Sequence, residues 1–227
     1  YTALNTLSLH DALPIYKKDY WVANLGELEP AESNRTIITY RLLKDNVGFD
    51  FIKSVIEFGS ASAHLSRYIK SKEPSVQFDA VDPGILWRDV LKRELIREVY
   101  TDVGDIDTKY DLLISSHALE HVSSLIDYFI KFRDLLTEGG YLYFEVPNSE
   151  ERDLIFDGRS DYHIPHTYFF SPKSFDAIAA KFGFQVIFNN TFSRSYRERF
   201  SGIREQIGSM DENPQGAYLR VLLRKKG

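Results

Sequence analysis

The hydrophobic and polar positions of the chain change their period repeatedly from Val55 to the C-terminus. Short runs rich in β-branched and aromatic residues are separated by stretches in which apolar residues recur every three or four positions. The short runs predict strands at residues 54–59, 76–81, 98–101, 111–116, 141–146, 184–188 and 217–223. The stretches between them predict helices at residues 62–72, 85–96, 122–136 and 171–182. Strands that alternate with helices are typical of βαβ units and a parallel sheet.

The fourth strand and the last two strands define the predicted sheet. Residues 111–116 (DLLISS) are nearly all apolar, which predicts a strand that is buried on both faces. Residues 184–188 and 217–223 are joined by a long polar segment without a helical pattern, which predicts an antiparallel closing pair. The predicted fold is α/β: a Rossmann-like, doubly wound, mostly parallel sheet of seven strands with an antiparallel final strand and an N-terminal helical appendage.

Two regions fall outside this alternation. Residues 16–53 are predicted to form a helical cap that leans over the carboxyl edge of the sheet, ahead of the main domain at 54–227. Residues 149–170 are too long for a routine connection and are rich in aromatic side chains, so they are predicted to form a substrate lid.

The first fifteen residues are left out of the functional interpretation. The run NTLSLHDALPI at residues 5–15 resembles the translation of a widely used short-read sequencing adapter. We interpret residues 1–15, including His10, as an artefact of sequencing.

Composition narrows the class of protein. The formal net charge is −5 and the basic residues are scattered, which argues against a partner that is a nucleic acid. No apolar run approaches the roughly 20 residues that a transmembrane helix needs. The chain has no cysteine, which excludes disulfides, thiolate metal sites and cysteine nucleophiles and fits a cytoplasmic location. The oligomeric state is left open.

Ligands of open α/β sheets bind beyond the carboxyl ends of the strands. The first strand ends in Gly59, with Ala61 and Ala63 at the next alternate positions, and small residues there let backbone N–H groups approach a ligand. Asp82 follows the second strand, 25 residues after Glu57 (82 − 57), close to the interval at which an acidic residue meets ribose hydroxyls. The alternatives are a tight strand-to-helix turn without a ligand and a turn aspartate before proline.

Four segments of the chain, taken in order, resemble the motifs of a known family. They are residues 57–63 (EFGSASA), 81–83 (VDP), 111–121 (DLLISSHALEH) and 139–148 (GGYLYFEVPN). The series resembles the successive motifs of class I S-adenosylmethionine (SAM)-dependent methyltransferases, of the broad methyltransferase-domain group with SSHxLEH and GGYLxxEVPN motifs. Residues 163–184 are similar to the ending of the same group. The block at 111–121 is the most specific segment and the loop at 57–63 the least.

The resemblance implies S-adenosyl-L-methionine as the cofactor and assigns residues to it. It implies that Glu57 interacts with the methionine moiety through the loop and that Asp82 binds the ribose. It also implies that Asp102 and Val103 lie beside the adenine. Ser116 and His117 would pass close to the sulfonium, and Pro147 and Asn148 would border the acceptor pocket. The complete set of expected cofactor residues is Glu57, Gly59, Ser60, Ala61, Asp82, Pro83, Asp102, Val103, Ser116 and His117.

The loop departs from the family pattern, which usually has three glycines where this chain has Gly59, Ala61 and Ala63. Alanine adds a methyl group and disfavours positive φ, so either the local backbone tolerates it or the cofactor binds weakly. This departure keeps a non-catalytic SAM-binding or scaffold protein open as an alternative. A nicotinamide-dependent oxidoreductase is disfavoured because the loop lacks the G-x-G-x-x-G spacing.

Methyl transfer from a sulfonium needs alignment of donor and acceptor and, for a hydroxyl acceptor, a base. The candidate bases are His117 and the two lid histidines, His163 and His166. His121 is interpreted as a structural residue, and no metal site is predicted, because two lid histidines lack a firm third ligand. We therefore predict a SAM-dependent methyltransferase that acts on a small-molecule or glycan-type acceptor, with O-methylation favoured.

Overall fold

An eight-stranded sheet organises the part of the chain that the computed structural model describes, which is residues 34–84, 91–92, 96–150, 166–198, 204–212 and 216–227. The strands are β1 (Ser54–Phe58), β2 (Gln77–Val81), β3 (Val99–Tyr100), β4 (Tyr110–Ser116), β5 (Leu136–Pro147), β6 (Phe184–Glu198), β7 (Arg204–Glu212) and β8 (Tyr218–Lys225). The helices are α1 (Asn34–Asn46), α2 (His64–Lys72), α3 (Leu125–Leu135) and α4 (Pro172–Phe182). Short 3₁₀ turns lie at Val103–Asp105 and Leu119–His121.

The strand order is β3-β2-β1-β4-β5-β8-β6-β7. The first five strands of this order run parallel, β8 is antiparallel to both β5 and β6, and β6 and β7 form an antiparallel pair at the edge. The predicted fold class and the antiparallel closing pair are confirmed. The sheet differs from the prediction in having an eighth strand, because β6 continues to Glu198 and residues 204–212 pair with it. A polar edge strand is defined by its backbone hydrogen bonds, so the polar segment gave no hydrophobic signal for it.

The core lies on both faces of the sheet. One cluster packs α3 and α4 against the sheet through Phe129, Phe132 and Phe175, and the other packs α1 and α2 against it through Leu43 and Ile69. Along β4, Leu113 belongs to the first cluster and Leu112 and Ile114 to the second, so the predicted burial of this strand on both faces is confirmed. Each such side chain contributes about 1.5–3 kcal/mol of burial free energy.

Helix ends follow their sequence signals. Ser171 and Ser174 form a capping box at the start of α4, with Pro172 as the first helical residue, and Gly183 ends the helix in the left-handed conformation. Ser124 caps α3 through the backbone N–H of Asp127. α1 confirms the N-terminal helical appendage, whereas most of the predicted helix at 85–96, the lid residues 151–165 and residues 1–33 lie outside the described residues.

Candidate functional site

The loop after β1 has a glycine-type backbone although only its first position is glycine. Gly59, Ala61 and Ala63 all have positive φ, of 69°, 43° and 52°. The left-handed region costs an L-residue about 1–2 kcal/mol, so both alanines hold this conformation against their local preference. The local backbone therefore accommodates alanine at the two positions where the family pattern has glycine.

Gly59 is also constrained by its surroundings. A Cβ atom at this position would lie 2.1 Å from the Cβ of Ala118, in the segment that follows β4. The segments after β1 and β4 thus touch at the carboxyl edge of the sheet. These two strands are neighbours in space but not in sequence, so the contact lies at the switch point where open α/β sheets bind their ligands.

Asp82 closes another side of the loop. Its Oδ2 accepts a hydrogen bond from the backbone N–H of Ala61 and its Oδ1 accepts one from Gly84, both at 2.7 Å. Burial raises the pKa of Asp82, and the two hydrogen bonds oppose that rise. The carboxylate expected to bind a ribose therefore lies directly against the loop, with Pro83 exposed beside it.

Glu57 is buried beneath the loop. Its Oε2 accepts a hydrogen bond from the backbone N–H of Ser66, in α2, at 3.1 Å. Burial raises the pKa of Glu57 to about 7; the bonds from Ser66 oppose this effect and the negative charge of Asp82 adds to it. A cationic ligand group near the loop would therefore favour the ionised form of Glu57.

Ser60 has a different character from its neighbours in the loop. It is 5% exposed, and its hydroxyl has no hydrogen-bond partner within the part of the chain that the structure describes. Buried hydroxyl groups are normally hydrogen-bonded, so the hydroxyl of Ser60 is suited to bond a ligand in this site.

Asp102 and Val103, expected beside the adenine, begin the 3₁₀ turn after β3. Oδ1 of Asp102 accepts a hydrogen bond from the backbone N–H of Gly104 at 2.6 Å and lies 3.5 Å from Nζ of Lys131. Val103 is buried in the core cluster that contains α3. Their contact with an adenine ring stays a prediction.

The residue directly after β4 has a strained backbone. His117 has φ 53°, which is unusual for a residue with a side chain, and its backbone N–H donates to the carbonyl of Glu145 at 2.8 Å. Such strain is maintained only where the surroundings hold it, and it clusters at functional sites. Ser116, the residue before it, accepts a hydrogen bond on Oγ from the guanidinium of Arg35 at 2.8 Å.

Glu145 is the centre of a charge network at the ends of β4, β5 and β8. It is 1% exposed, and its carboxylate accepts hydrogen bonds from Arg35 at 2.5 Å and from Arg220 at 2.7 Å. Burial raises the pKa of Glu145, but the charges of Arg35 and Arg220 and the hydrogen bond from His117 hold it well below its ordinary value. Glu145 is therefore ionised and balanced by cations from α1 and β8.

His117 lies between two buried carboxylates. Its Nδ1 is 3.3 Å from Oε1 of Glu120, and its Nε2 is 3.5 Å from Oε1 of Glu145. Burial and the charge of Arg35 lower the pKa of His117, but the two glutamates outweigh them and raise it above its ordinary value. The two glutamates therefore favour the protonated form of His117.

The lid histidines are only partly described. His163 lies outside the described residues. His166 lies next to His121, with ring centroids 4.8 Å apart, and both are grouped with Glu120. His166 is therefore separated by Glu120 from His117, and His121, interpreted from the sequence as structural, belongs to this polar group.

Asn148 has its side chain committed to the backbone. Its Nδ2 donates to the carbonyl of Gly216 at 2.7 Å, and its Oδ1 accepts from the backbone N–H of Glu150 at 3.2 Å. These bonds tie the end of β5 to the residues before β8. Asn148 thus shapes the border of the site, and its expected place beside an acceptor stays a prediction.

Four residues of the site were not among the sequence predictions: Arg35, Glu120, Glu145 and Arg220. Glu145 and Arg220 each interrupt an apolar strand with one charge, and they lie opposite each other in register. These two strands were not predicted to pair, so their opposite charges became a signal only once the sheet order was known. Arg35 had none, because 110 residues separate it from Glu145.

The donors and acceptors at the strand ends fit a nucleoside-type cofactor. The glycine-type loop lets the backbone approach a ligand closely. Within the described residues, Ser60 has an unpaired hydroxyl, and Asp82 offers a carboxylate. A sheet of this order with these groups at its switch point is typical of α/β proteins that bind a nucleotide-like cofactor.

The chain belongs to the methyltransferase domain family, whose profile matches residues 23–188. The match begins within the predicted helical cap and so includes α1. The expectation of a class I SAM-dependent methyltransferase is confirmed, with S-adenosyl-L-methionine as the cofactor. No curated protein sequence matches the chain significantly.

Solved structures with the same fold share little sequence with this chain. A SAM-dependent methyltransferase from Thermotoga maritima superposes with a TM-score of 0.59 at 15% identity, over 85% of this chain and 91% of that protein. Coclaurine N-methyltransferase bound to N-methylheliamine and S-adenosylhomocysteine gives 0.62 at 15% identity, over 83% and 62%. Mitomycin 7-O-methyltransferase gives 0.60 at 13% identity, over 84% and 53%. These similarities confirm the fold. Within the described part of the chain, no helix is long and apolar enough to cross a membrane.

Proposed function

We propose that this protein transfers a methyl group from S-adenosyl-L-methionine to a hydroxyl of a small-molecule or glycan-type acceptor, with His117 as the base. The observation that carries this proposal is the placement of His117. It lies at the carboxyl end of β4, with φ 53°, beside the loop of β1 and between two buried carboxylates. A histidine in this environment accepts a proton and keeps it.

The cofactor supplies a methyl group that is already activated by the sulfonium. Gly59 and the two alanines shape the loop that would lie against it, and Ser60 offers its buried hydroxyl. Asp82 accepts hydrogen bonds from ribose hydroxyls, and Glu57 supports the loop from beneath. Asp102 and Val103 border the adenine, and Ser116 borders the sulfonium.

His117 removes the proton of the acceptor hydroxyl as the oxygen attacks. Glu120 and Glu145 stabilise the imidazolium that results, because each lies within 3.5 Å of a ring nitrogen. This is the logic by which a carboxylate orients a catalytic histidine in hydrolases. His166, which is grouped with His121 and Glu120, and His163 are the remaining candidates.

The class of acceptor is inferred from the residues after β5 and from the net charge. The aromatic lid at 149–170 favours a compact molecule enclosed away from water, and the net charge of −5 favours it over a nucleic acid. The fold neighbours include both N- and O-methyltransferases. O-methylation is proposed because it uses a base and the site contains one.

The test is a transfer assay with ¹³C-methyl SAM and a panel of sugar nucleotides, glycosides and phenols. The chemical shift of the labelled methyl group in the product distinguishes attachment to oxygen from attachment to nitrogen. We expect His117→Gln to lower kcat by about 10²–10⁴-fold while its affinity for SAM stays within a few-fold of that of the wild type. His64→Gln, in α2, is the matched control and should keep the wild-type kcat.

The pH profile gives a second readout of the same residue. Because the pKa of His117 is raised, its basic form is lost as pH falls through a value above its ordinary one, so kcat should rise with pH across neutrality and level off in mild alkali. A wild-type kcat in His117→Gln would contradict the assigned base. SAM binding without transfer to any member of the panel would favour the non-catalytic alternative.

A further inference from the structure

A second polar group shares Glu120 with the proposed base and adds His121 and His166. One ligand atom from each of Glu120, His121 and His166 lies within 4.8 Å of the other two. Two imidazoles and one carboxylate form a donor set that divalent transition metals bind in proteins. Glu120 and His121 come from the 3₁₀ turn after β4, whereas His166 comes from the far end of the lid.

The backbone holds His166 against that turn. The N–H groups of Thr167 and Tyr168 both donate to the carbonyl of Glu120, at 2.8 and 3.2 Å. The hydroxyl of Tyr168 accepts from the backbone N–H of Leu125 at 3.2 Å. The segment that carries His166 is therefore anchored to the 3₁₀ turn and to the start of α3. The three side chains need only small movements to converge on one ion.

The buried carboxylate of Glu120 is paired with His117 but has hydrogen-bonding capacity left over. The residue is 1% exposed, and within the described part of the chain neither of its carboxylate oxygens has a hydrogen bond of good geometry. His117 lies 3.3 Å from Oε1 and compensates its charge from one side only. Buried carboxylates are normally fully hydrogen-bonded, paired or bound to a metal, so the capacity that His117 leaves unused fits a further ligand.

We propose that Glu120, His121 and His166 bind a divalent transition-metal ion of the Zn²⁺ class. Zn²⁺ accepts nitrogen and oxygen ligands at about 2.0–2.2 Å, which places tetrahedral ligand atoms about 3.4 Å apart. The three atoms are at most 4.8 Å apart and so need to close by little more than an ångström. Mg²⁺ is disfavoured because it prefers all-oxygen ligands. Both histidines are half-buried, which leaves a coordination position open to water.

Such an ion would tie the end of the lid to the end of β4. It would add a bond between His166 and the 3₁₀ turn to the hydrogen bonds that already join them. It would also place a positive charge beside the carboxylate of Glu120.

The experiment is calorimetric titration of the untagged full chain with ZnCl₂, with no SAM present. We expect one site, and we expect His121→Ala and His166→Ala each to weaken Zn²⁺ binding at least about tenfold. His64→Ala removes a histidine outside the group and should bind Zn²⁺ as the wild type does. Co²⁺ in place of Zn²⁺ should give visible absorption bands that the two variants lose.

Glu120→Gln completes the set. Because Glu120 is buried, its thermal melting curve is recorded first, and the two histidine variants test the site even where Glu120→Gln does not fold. No uptake of Zn²⁺ at about millimolar concentration, or an affinity of His121→Ala and His166→Ala equal to that of the wild type, would overturn the proposed site. The titration is independent of SAM binding and turnover, so its failure is distinct from a failure of the methyltransferase proposal.

Discussion

At the scale of single residues, the site depends on backbone conformations that side chains normally disfavour. Gly59, Ala61, Ala63 and His117 all have positive φ, and three of them carry a Cβ. Each such residue costs about 1–2 kcal/mol. The cost is tolerated because the neighbours of these residues over-determine their position: Asp82 holds the N–H of Ala61, and His117 is held by Glu145.

Gly59 and Gly48 offer a matched test of this loop, since their φ values are 69° and 71°. A Cβ at Gly48 meets nothing within 4 Å, whereas one at Gly59 would lie 2.1 Å from the Cβ of Ala118. Gly48→Ala should therefore cost only the backbone term, about 1–2 kcal/mol of unfolding free energy. Gly59→Ala should cost about 1–3 kcal/mol more through the collision.

Urea unfolding measures both variants, and SAM titration should show weaker binding for Gly59→Ala alone. Equal losses of unfolding free energy in the two variants would mean that the contact between the loops after β1 and β4 is not a constraint.

At the scale of elements, α1 completes the carboxyl edge of the sheet. Arg35 reaches from its first turn to Ser116 of β4 and to Glu145 of β5, while Leu43 anchors the helix in the core. The helix thereby covers the strand ends that carry the proposed base.

Arg35 and Arg41 allow the contact to be tested within one helix. Arg35 bonds a buried carboxylate, while Arg41 is exposed. Arg35→Met should lower the unfolding free energy by about 1–2 kcal/mol. This is the value of a charged hydrogen bond, reduced because the guanidinium is half-exposed to solvent. Arg41→Met should change it by less than about 0.5 kcal/mol. Denaturant unfolding of the two variants decides, and an equal effect would show that Arg35 does not secure α1.

At the scale of the whole molecule, the sequence predicts what depends on local pattern and misses what depends on distant pairing. The apolar run of β4 predicts a doubly buried strand, and Asp82 after β2 is placed at the loop as expected. β7 is missed because a polar edge strand is specified by backbone pairing. Arg35 is missed because its partner lies 110 residues away and no periodic pattern links the two.

The same limit applies to the second polar group. Sequence spacing joins His163, which lies outside the described residues, with His166, whereas the fold brings His166 to Glu120 and His121. Spacing within a loop does not give distances between a loop and a strand end. Motifs in the sequence therefore identify some of the site residues, and their mutual arrangement follows only from the folded sheet.

The most direct test of the account is calorimetric titration of SAM into the wild type, Asp82→Ala and Asp107→Ala. The wild type should bind one SAM with a Kd well below about millimolar, and Asp107→Ala, which removes an exposed carboxylate, should match it. Asp82→Ala should bind at least about tenfold more weakly, as expected for lost charge-assisted hydrogen bonds of about 1.5–3 kcal/mol. No binding by the wild type at millimolar SAM, or the same Kd for Asp82→Ala, would contradict the cofactor site at the ends of β1 and β2.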